Sequence, residues 1–368
     1  MDVHPIPTSW DDLFDGVASA EDWLKKRKTI RGRFLELMRM EAAPEVPADL
    51  QVKIEESWSC EDYTVKYLSY NVEKDERAYA YLAVPNGPAP AGGFPAVVCP
   101  HGTTNWGACR TMAIMPEPDD PHADKMNWYG LDYARILVRR GFATISPEHF
   151  CCGRRLPGEG PFETANFYRR HPDWSAAGKA TFENSIATTV LAGQPGVNPD
   201  KIGALGHSLG GHGTFWLAAY DERIKCAVPC GSGGNFREND RVLDWSRDHW
   251  YVYFPQLRGM LLAKQPLPCD MHEILALIAP RPCLQINAIN DGPMLINGHR
   301  LMMHYKLTEL YKMLGHPDKL AYLTFGDGHS IPAMAQALIV SWFERWLKDN
   351  GDAFLACDHN PAKLIKAQ

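Results

Sequence analysis

The sequence predicts an α/β fold: a mostly parallel central sheet with helices on both faces. Two observations carry this. From Phe94 onward, short apolar runs alternate with helix-length patterns, and buried runs separated by helices imply parallel strands covered on both sides. One run also enters a glycine-rich turn that passes directly into a helical pattern, which is a strand–turn–helix signature.

The apolar runs are Ala96–Cys99, Ala143–Ser146, Ile202–Leu205, Cys226–Val228, Cys283–Ile289 and Leu320–Phe325. Helical spacing predicts helices near 131–140, 179–193, 209–220, 271–278, 298–314 and 332–348. Ahead of this core, Tyr63, Val65 and Tyr67 share one face of an alternating segment. Tyr79, Tyr81 and Ala83 share another, so two antiparallel strands are expected. Residues 10–40 read as amphipathic helix, with Trp10, Leu13, Phe14, Trp23, Leu24, Phe34, Leu37 and Met38 at helical spacing. The stretches of about 150–179 and 231–268 break the alternation and are rich in aromatic residues and arginine. Loops that long are uncommon in a compact domain unless functional, so they read as cap-like, pocket-lining insertions.

With 368 residues, 45% hydrophobic and 22% charged, the chain can bury a large core without staples. A net charge of -6 argues against nucleic acid as a partner. The cluster Lys25, Lys26, Arg27, Lys28 reads as a solvated helix face. No apolar run reaches the roughly 18 residues of a membrane helix. No basic segment followed by an apolar stretch marks the first residues. Of ten cysteines, Cys99, Cys226, Cys230 and Cys283 fall in apolar runs, and the spacings match no zinc pattern. Adjacent Cys151 and Cys152 are poorly placed to pair. A reduced, cytoplasmic setting is expected.

The turn Gly206-His207-Ser208-Leu209-Gly210-Gly211 would aim the serine oxygen outward at the head of a helix, with small residues around a strained backbone. Serine needs a base to act as a nucleophile. His329, on the glycine-flanked loop Phe325–Ser330 after the last apolar run, is the candidate. His207 is read as pointing elsewhere in the turn, and His299 and His304 as helix-surface or packing residues. Asp291, after the run ending at Ile289, is the candidate acid that orients the imidazole. Asp327 and Glu148 are rivals. The oxyanion would be held by the backbone N–H groups of Leu209 and, from the loop Pro100-His101-Gly102-Thr103, of Thr103. No cofactor or metal is called for. Arg154, Arg155, Arg169, Arg170, Arg237 and Arg241 crowd the insertions with Trp174, Trp245, Trp250, Tyr251 and Tyr253. They form either a clamp for a carbohydrate or anionic substrate, or cap packing and surface ion pairs.

These motifs resemble the α/β-hydrolase superfamily over about Phe94–Leu347. Asp270-x-His272-Glu273 leading to Ile278-Ala279-Pro280-Arg281-Pro282 is similar to acetyl xylan esterases, glucuronoyl esterases and dienelactone-hydrolase-like proteins. Physically, Asp270 and Glu273 read as a helix-capping pair. Glucuronoyl esterases carry a cysteine before the serine and an arginine after it, where this chain has His207 and Leu209. Residues 1–50 read as an N-terminal helical extension and 51–368 as an α/β-hydrolase catalytic domain. The resemblance implies a serine esterase acting on a small ester, such as an acetylated carbohydrate, and a homo-oligomer is one possible assembly. Lactone, amide or carbon–carbon bond hydrolysis on the same scaffold is the alternative, and a non-catalytic binding protein a third reading.

Overall fold

In the computed structural model, residues 10–104, 107–114, 130–236, 242–291 and 297–348 are described. Arg237 and Arg241 lie outside them. A 3-10 turn, Trp10–Phe14, opens the chain, and α1 spans Ala20–Leu37. The expected helix over 10–40 is thus interrupted, and Gly16 adopts a φ of +72° at the break, a region glycine enters without penalty. Ser19 restarts the helix by accepting the Asp22 N–H at 3.2 Å. Trp23, Ile30, Phe34 and Leu37 form its buried face. The basic cluster is not all solvated: Arg27 donates to the Leu277 carbonyl at 3.1 Å.

The sheet is built from β1 (Lys53–Ser59), β2 (Tyr63–Glu73), β3 (Glu76–Pro85), β4 (Phe94–Val98), β5 (Ala143–Pro147), β6 (Val197–His207), β7 (Ile224–Cys230), β8 (Cys283–Ala288) and β9 (Leu320–Phe325). Its order is β1-β2-β3-β5-β4-β6-β7-β8-β9. The first three strands and the β3–β5 pair are antiparallel, and the rest is parallel. β1 is exposed along its whole length, so it carries no apolar alternation that a sequence reading could find. The helices are α2 (Tyr133–Arg139), α3 (Ala165–Arg170), α4 (Ala176–Ala192), α5 (Leu209–Tyr220), α6 (Pro255–Leu262), α7 (Met271–Ala276), α8 (Asn297–Met313) and α9 (Ala333–Leu347). One core, with Leu137, Trp342 and Phe343, joins α2 and α9 to one face of the sheet. The other, with Ile186, Phe215, Ile274 and Leu307, joins α4, α5, α7 and α8, and also takes in Trp23 and Phe34 of α1.

The strand order reverses between β4 and β6, since β5 lies on one side of β4 and β6 on the other. Such a switch point opens a crevice at the carboxyl ends of the strands, and it is where the candidate site lies. The two insertions contain α3 and α6 and lock onto each other. Tyr251 N–H donates to the Phe162 carbonyl at 2.9 Å, Tyr168 Oη to the Val252 carbonyl at 2.6 Å, and Trp250 Nε1 to the Pro161 carbonyl at 2.9 Å.

An ion-pair network ties the first insertion to the sheet. Arg155 grips Glu183 with two bonds, 2.8 and 2.6 Å, and reaches Glu76 at 3.2 Å. The fully buried Lys179 ammonium contacts Glu73, lies 3.2 Å from Glu76 and 2.9 Å from Glu183. Burial works against charge on Glu183, yet Arg155 and Lys179 hold its carboxyl down at about 2. A carboxyl depressed from an ordinary value of about 4.3 stabilises the fold above that value. That contribution is lost as pH falls from there toward about 2. Thermal midpoints measured across this window should fall accordingly. Arg155→Met should already cost about 3 kcal/mol at neutral pH, because it leaves Lys179 as the one buried cation among the described residues to balance Glu73, Glu76 and Glu183, and urea titration measures it.

Candidate active site

Ser208 sits between β6 and α5 with φ 60° and ψ -120°. A non-glycine residue there stores about 1–3 kcal/mol of strain. The surroundings hold it in place: its N–H donates to the Cys230 carbonyl at 2.9 Å. A Cβ on Gly210 would meet the Pro100 oxygen at 2.1 Å, and one on Gly206 the Gly210 oxygen at 2.3 Å. Only glycine permits that approach of α5 to the loop after β4.

His329 and Ser208 line one cavity of about 250 Å³, together with His101, Gly102, Thr103, Arg110, Thr111, Leu131, Tyr133 and His207. His329 Nδ1 lies 2.9 Å from Asp291 Oδ2. A proton on Nδ1, donated to that carboxylate, leaves the Nε2 lone pair free. The Asp291 side chain is 1% exposed and that of His329 30%, so the acid is sealed in and the imidazole can exchange protons at the cavity. The two rival acids are occupied elsewhere. Asp327 accepts from the Gly328 N–H at 2.8 Å and the Ser330 hydroxyl at 3.3 Å. Glu148 ends β5 and accepts from Tyr67 Oη at 3.1 Å and the Arg154 N–H at 2.9 Å.

His207 does not point away from the site. Its ring packs on His329 with centroids 4.3 Å apart. The loop bearing His329 crosses the end of β6, and a partner that arrives from 122 positions later is invisible to local turn geometry. Burial, reinforced by the nearby His329, pushes the His207 imidazole well below its ordinary range, so it is a neutral wall for the His329 ring.

The loop after β4 is oriented by His101. The His149 N–H donates to His101 Nε2 at 3.0 Å, which leaves Nδ1–H to donate to the Gly102 carbonyl at 2.7 Å. Burial lowers the His101 imidazole to about 4, so it stays neutral. In a trans peptide the C=O and the following N–H point opposite ways. Holding the Gly102 carbonyl on the ring therefore turns the Thr103 N–H away from it. Leu209 opens α5, where first-turn amides have no intrahelical acceptor. Tyr133 Oη donates to the Pro100 carbonyl at 2.6 Å and braces the same loop.

Of the insertion arginines, the four among the described residues, Arg154, Arg155, Arg169 and Arg170, do not form a clamp at this cavity. Arg155 is spent on Glu183 and Glu76, Arg170 pairs with Glu76 at 3.0 Å, Arg169 lies 3.6 Å from Glu159, and Arg154 lies over the Tyr79 ring. Trp174, Tyr251 and Tyr253 are buried cap packing. The cation in the cavity wall is instead Arg110, on a 3-10 turn (Gly107–Met112) that no periodicity marks. Asp270 and Glu273 form a capping box on α7, as their spacing suggests. Among the described residues, Glu73, Glu76 and His171 are the group spaced to hold a metal ion. Lys179 already lies against both glutamates, so a dication would have to displace a buried ammonium.

The chain is similar to known proteins in sequence and in fold. The model of the family described as "Glucuronyl esterase, fungi" matches residues 183–315. The chain is 26% identical over 225 residues to the putative hydrolase YtaP of Bacillus subtilis (strain 168), covering 59% of this chain and 71% of that one. It is 27% identical over 172 residues to carbohydrate esterase MZ0003 of an unknown prokaryotic organism, covering 42% and 39%. Among solved structures, a glucuronoyl esterase from Solibacter usitatus superposes with a TM-score of 0.65 at 17% identity, over 89% of this chain and 94% of that one. The chain has the α/β-hydrolase fold. The matched family and these relatives are named as glucuronyl or carbohydrate esterases or as a hydrolase. Among the described residues no helix is long and apolar enough to cross a membrane.

Proposed function

We propose that the protein hydrolyses a carboxylic ester carried on a carbohydrate, through an acyl-enzyme on Ser208. The observation that carries the mechanism is the Asp291–His329 pair sharing a cavity with a strained serine. Ser208 Oγ attacks the ester carbonyl carbon and its proton passes to His329 Nε2. The Leu209 and Thr103 amides receive the oxyanion. Removing one such donor typically costs about 3–4 kcal/mol in the barrier. Collapse of the tetrahedral adduct breaks the C–O bond, and His329 returns the proton to the leaving alcohol. Water then attacks the acyl-enzyme with His329 again as base, and Ser208 is regenerated. Asp291 keeps the proton on Nδ1 and balances the imidazolium throughout.

The substrate class rests on the glucuronyl esterase family match and on the printed name of the carbohydrate esterase relative. The cavity of about 250 Å³ lies just below the roughly 300–1,000 Å³ of drug-sized ligand sites, which suits a small acyl or alkoxy group. His207 and Leu209 stand where glucuronoyl esterases carry cysteine and arginine, and Arg110 is the cation this wall presents. The nine described cysteines are all free, which supports a reducing, cytoplasmic setting. A panel of a methyl glucuronate ester, an acetylated xylo-oligosaccharide and a neutral aryl acetate tests the substrate class. One of the sugar esters should exceed the aryl ester by about tenfold or more in kcat/KM, a margin typical of modest pocket discrimination. Equal rates across the panel contradict carbohydrate selectivity.

A further inference from the structure

Arg300 is a buried cation with no evident structural employment. It lies in the first turn of α8, and its side chain is fully inaccessible. Among the described residues, its Nε, Nη1 and Nη2 atoms have no hydrogen-bond partner. Helix electrostatics do not explain it, because the first turn of a helix favours acidic rather than basic side chains. Stability does not explain it either, since an apolar side chain of similar volume is often as good or better than a buried ion pair. The carboxylate it approaches is Asp291, with Nη2 3.9 Å from Oδ2. That is the same oxygen that His329 Nδ1 contacts at 2.9 Å. The other oxygen, Oδ1, is buried with no hydrogen-bond partner among the described residues.

We propose that Arg300 is a positioning residue: its guanidinium counters the Asp291 charge and thereby sets the pH at which the His329–Asp291 pair becomes competent as a base. This rests on the Ser208, His329 and Asp291 roles given above. A proton taken up by the pair lands on His329 or on Asp291, whose Nδ1 and Oδ2 lie 2.9 Å apart. Wherever that proton settles, a cation 3.9 Å from Asp291 Oδ2 opposes it. Removing the cation must therefore raise the pH at which the pair protonates, and the acidic limb of the rate profile moves up with it. Burial draws the Arg300 guanidinium down while Asp291 draws it up, and a guanidinium stays charged throughout the working range.

The other groups around His329 do not supply this effect. His207 from β6 and His212 from α5 are both buried and driven below their ordinary range, His212 to about 3, so they are neutral in that window. Asp327, on the loop of His329 itself, is engaged with Gly328 and Ser330. Arg110 in the cavity wall remains in every variant and forms a constant background.

The test is the pH dependence of kcat/KM on a neutral ester for wild type, R300M and R300K. The acidic midpoint of R300M should lie about one pH unit higher, the size of shift a nearby charge produces, and R300K should return most of the way to wild type. Should R300M fail to fold, R300Q removes the same charge and carries the same expectation. A midpoint for the neutral variant that coincides with wild type, or an R300K profile as shifted as the neutral one, overturns the proposal. Ser208→Ala separates this from the underlying reading. If S208A retains turnover, the triad assignment fails. If S208A is inactive and the R300M midpoint is unmoved, only the role of Arg300 falls.

Discussion

Ser208→Ala should lower kcat by about 10⁵–10⁶-fold, the range seen when a nucleophile is removed from a unit of this kind. The fold should be unaffected. Alanine keeps the Cβ and leaves the Ser208 N–H to Cys230 bond in place, so the strained φ of 60° is borne by the same contacts. The residual rate should still exceed that of the uncatalysed reaction, because the oxyanion donors and the cavity survive. Steady-state kinetics on an activated short-chain ester, together with a melting curve, check both halves. A variant with wild-type turnover would mean that the chemistry lies elsewhere.

Asp291→Asn should lower kcat by about 10⁴-fold. The neutral amide no longer stabilises the imidazolium and no longer fixes the proton on His329 Nδ1. This substitution should also destabilise the fold, unlike the first. Arg300 is buried with Asp291 as its only nearby counter-charge among the described ion pairs, and removing one partner of a buried pair costs about 3–5 kcal/mol. A urea titration would register that loss while single-turnover kinetics register the other. An Asp291→Asn enzyme of normal stability and activity would refute both roles.

The parts legible in the sequence were those whose causes are local. The turn at Ser208 is specified by adjacent glycines, and the runs that became β4 to β9 are short apolar segments bounded by turns. Asp270 and Glu273 announce their capping box by spacing alone. What stayed hidden depends on partners far along the chain. His207 is a wall of the site only because the loop of His329 crosses β6. Arg155 reads as a possible substrate clamp until Glu76 and Glu183 are brought to it from β3 and α4. Arg110 and Arg300 sit in segments where nothing in periodicity separates a site residue from a surface one. β1 was missed because all of its residues are exposed.

The most direct test of the account is to label the active enzyme with a fluorophosphonate and map the adduct by peptide mass. The account expects one stoichiometric adduct on Ser208, with loss of ester turnover in proportion to labelling, and slow labelling in Asp291→Asn. An adduct on a different residue, or full turnover with Ser208 completely labelled, would contradict it.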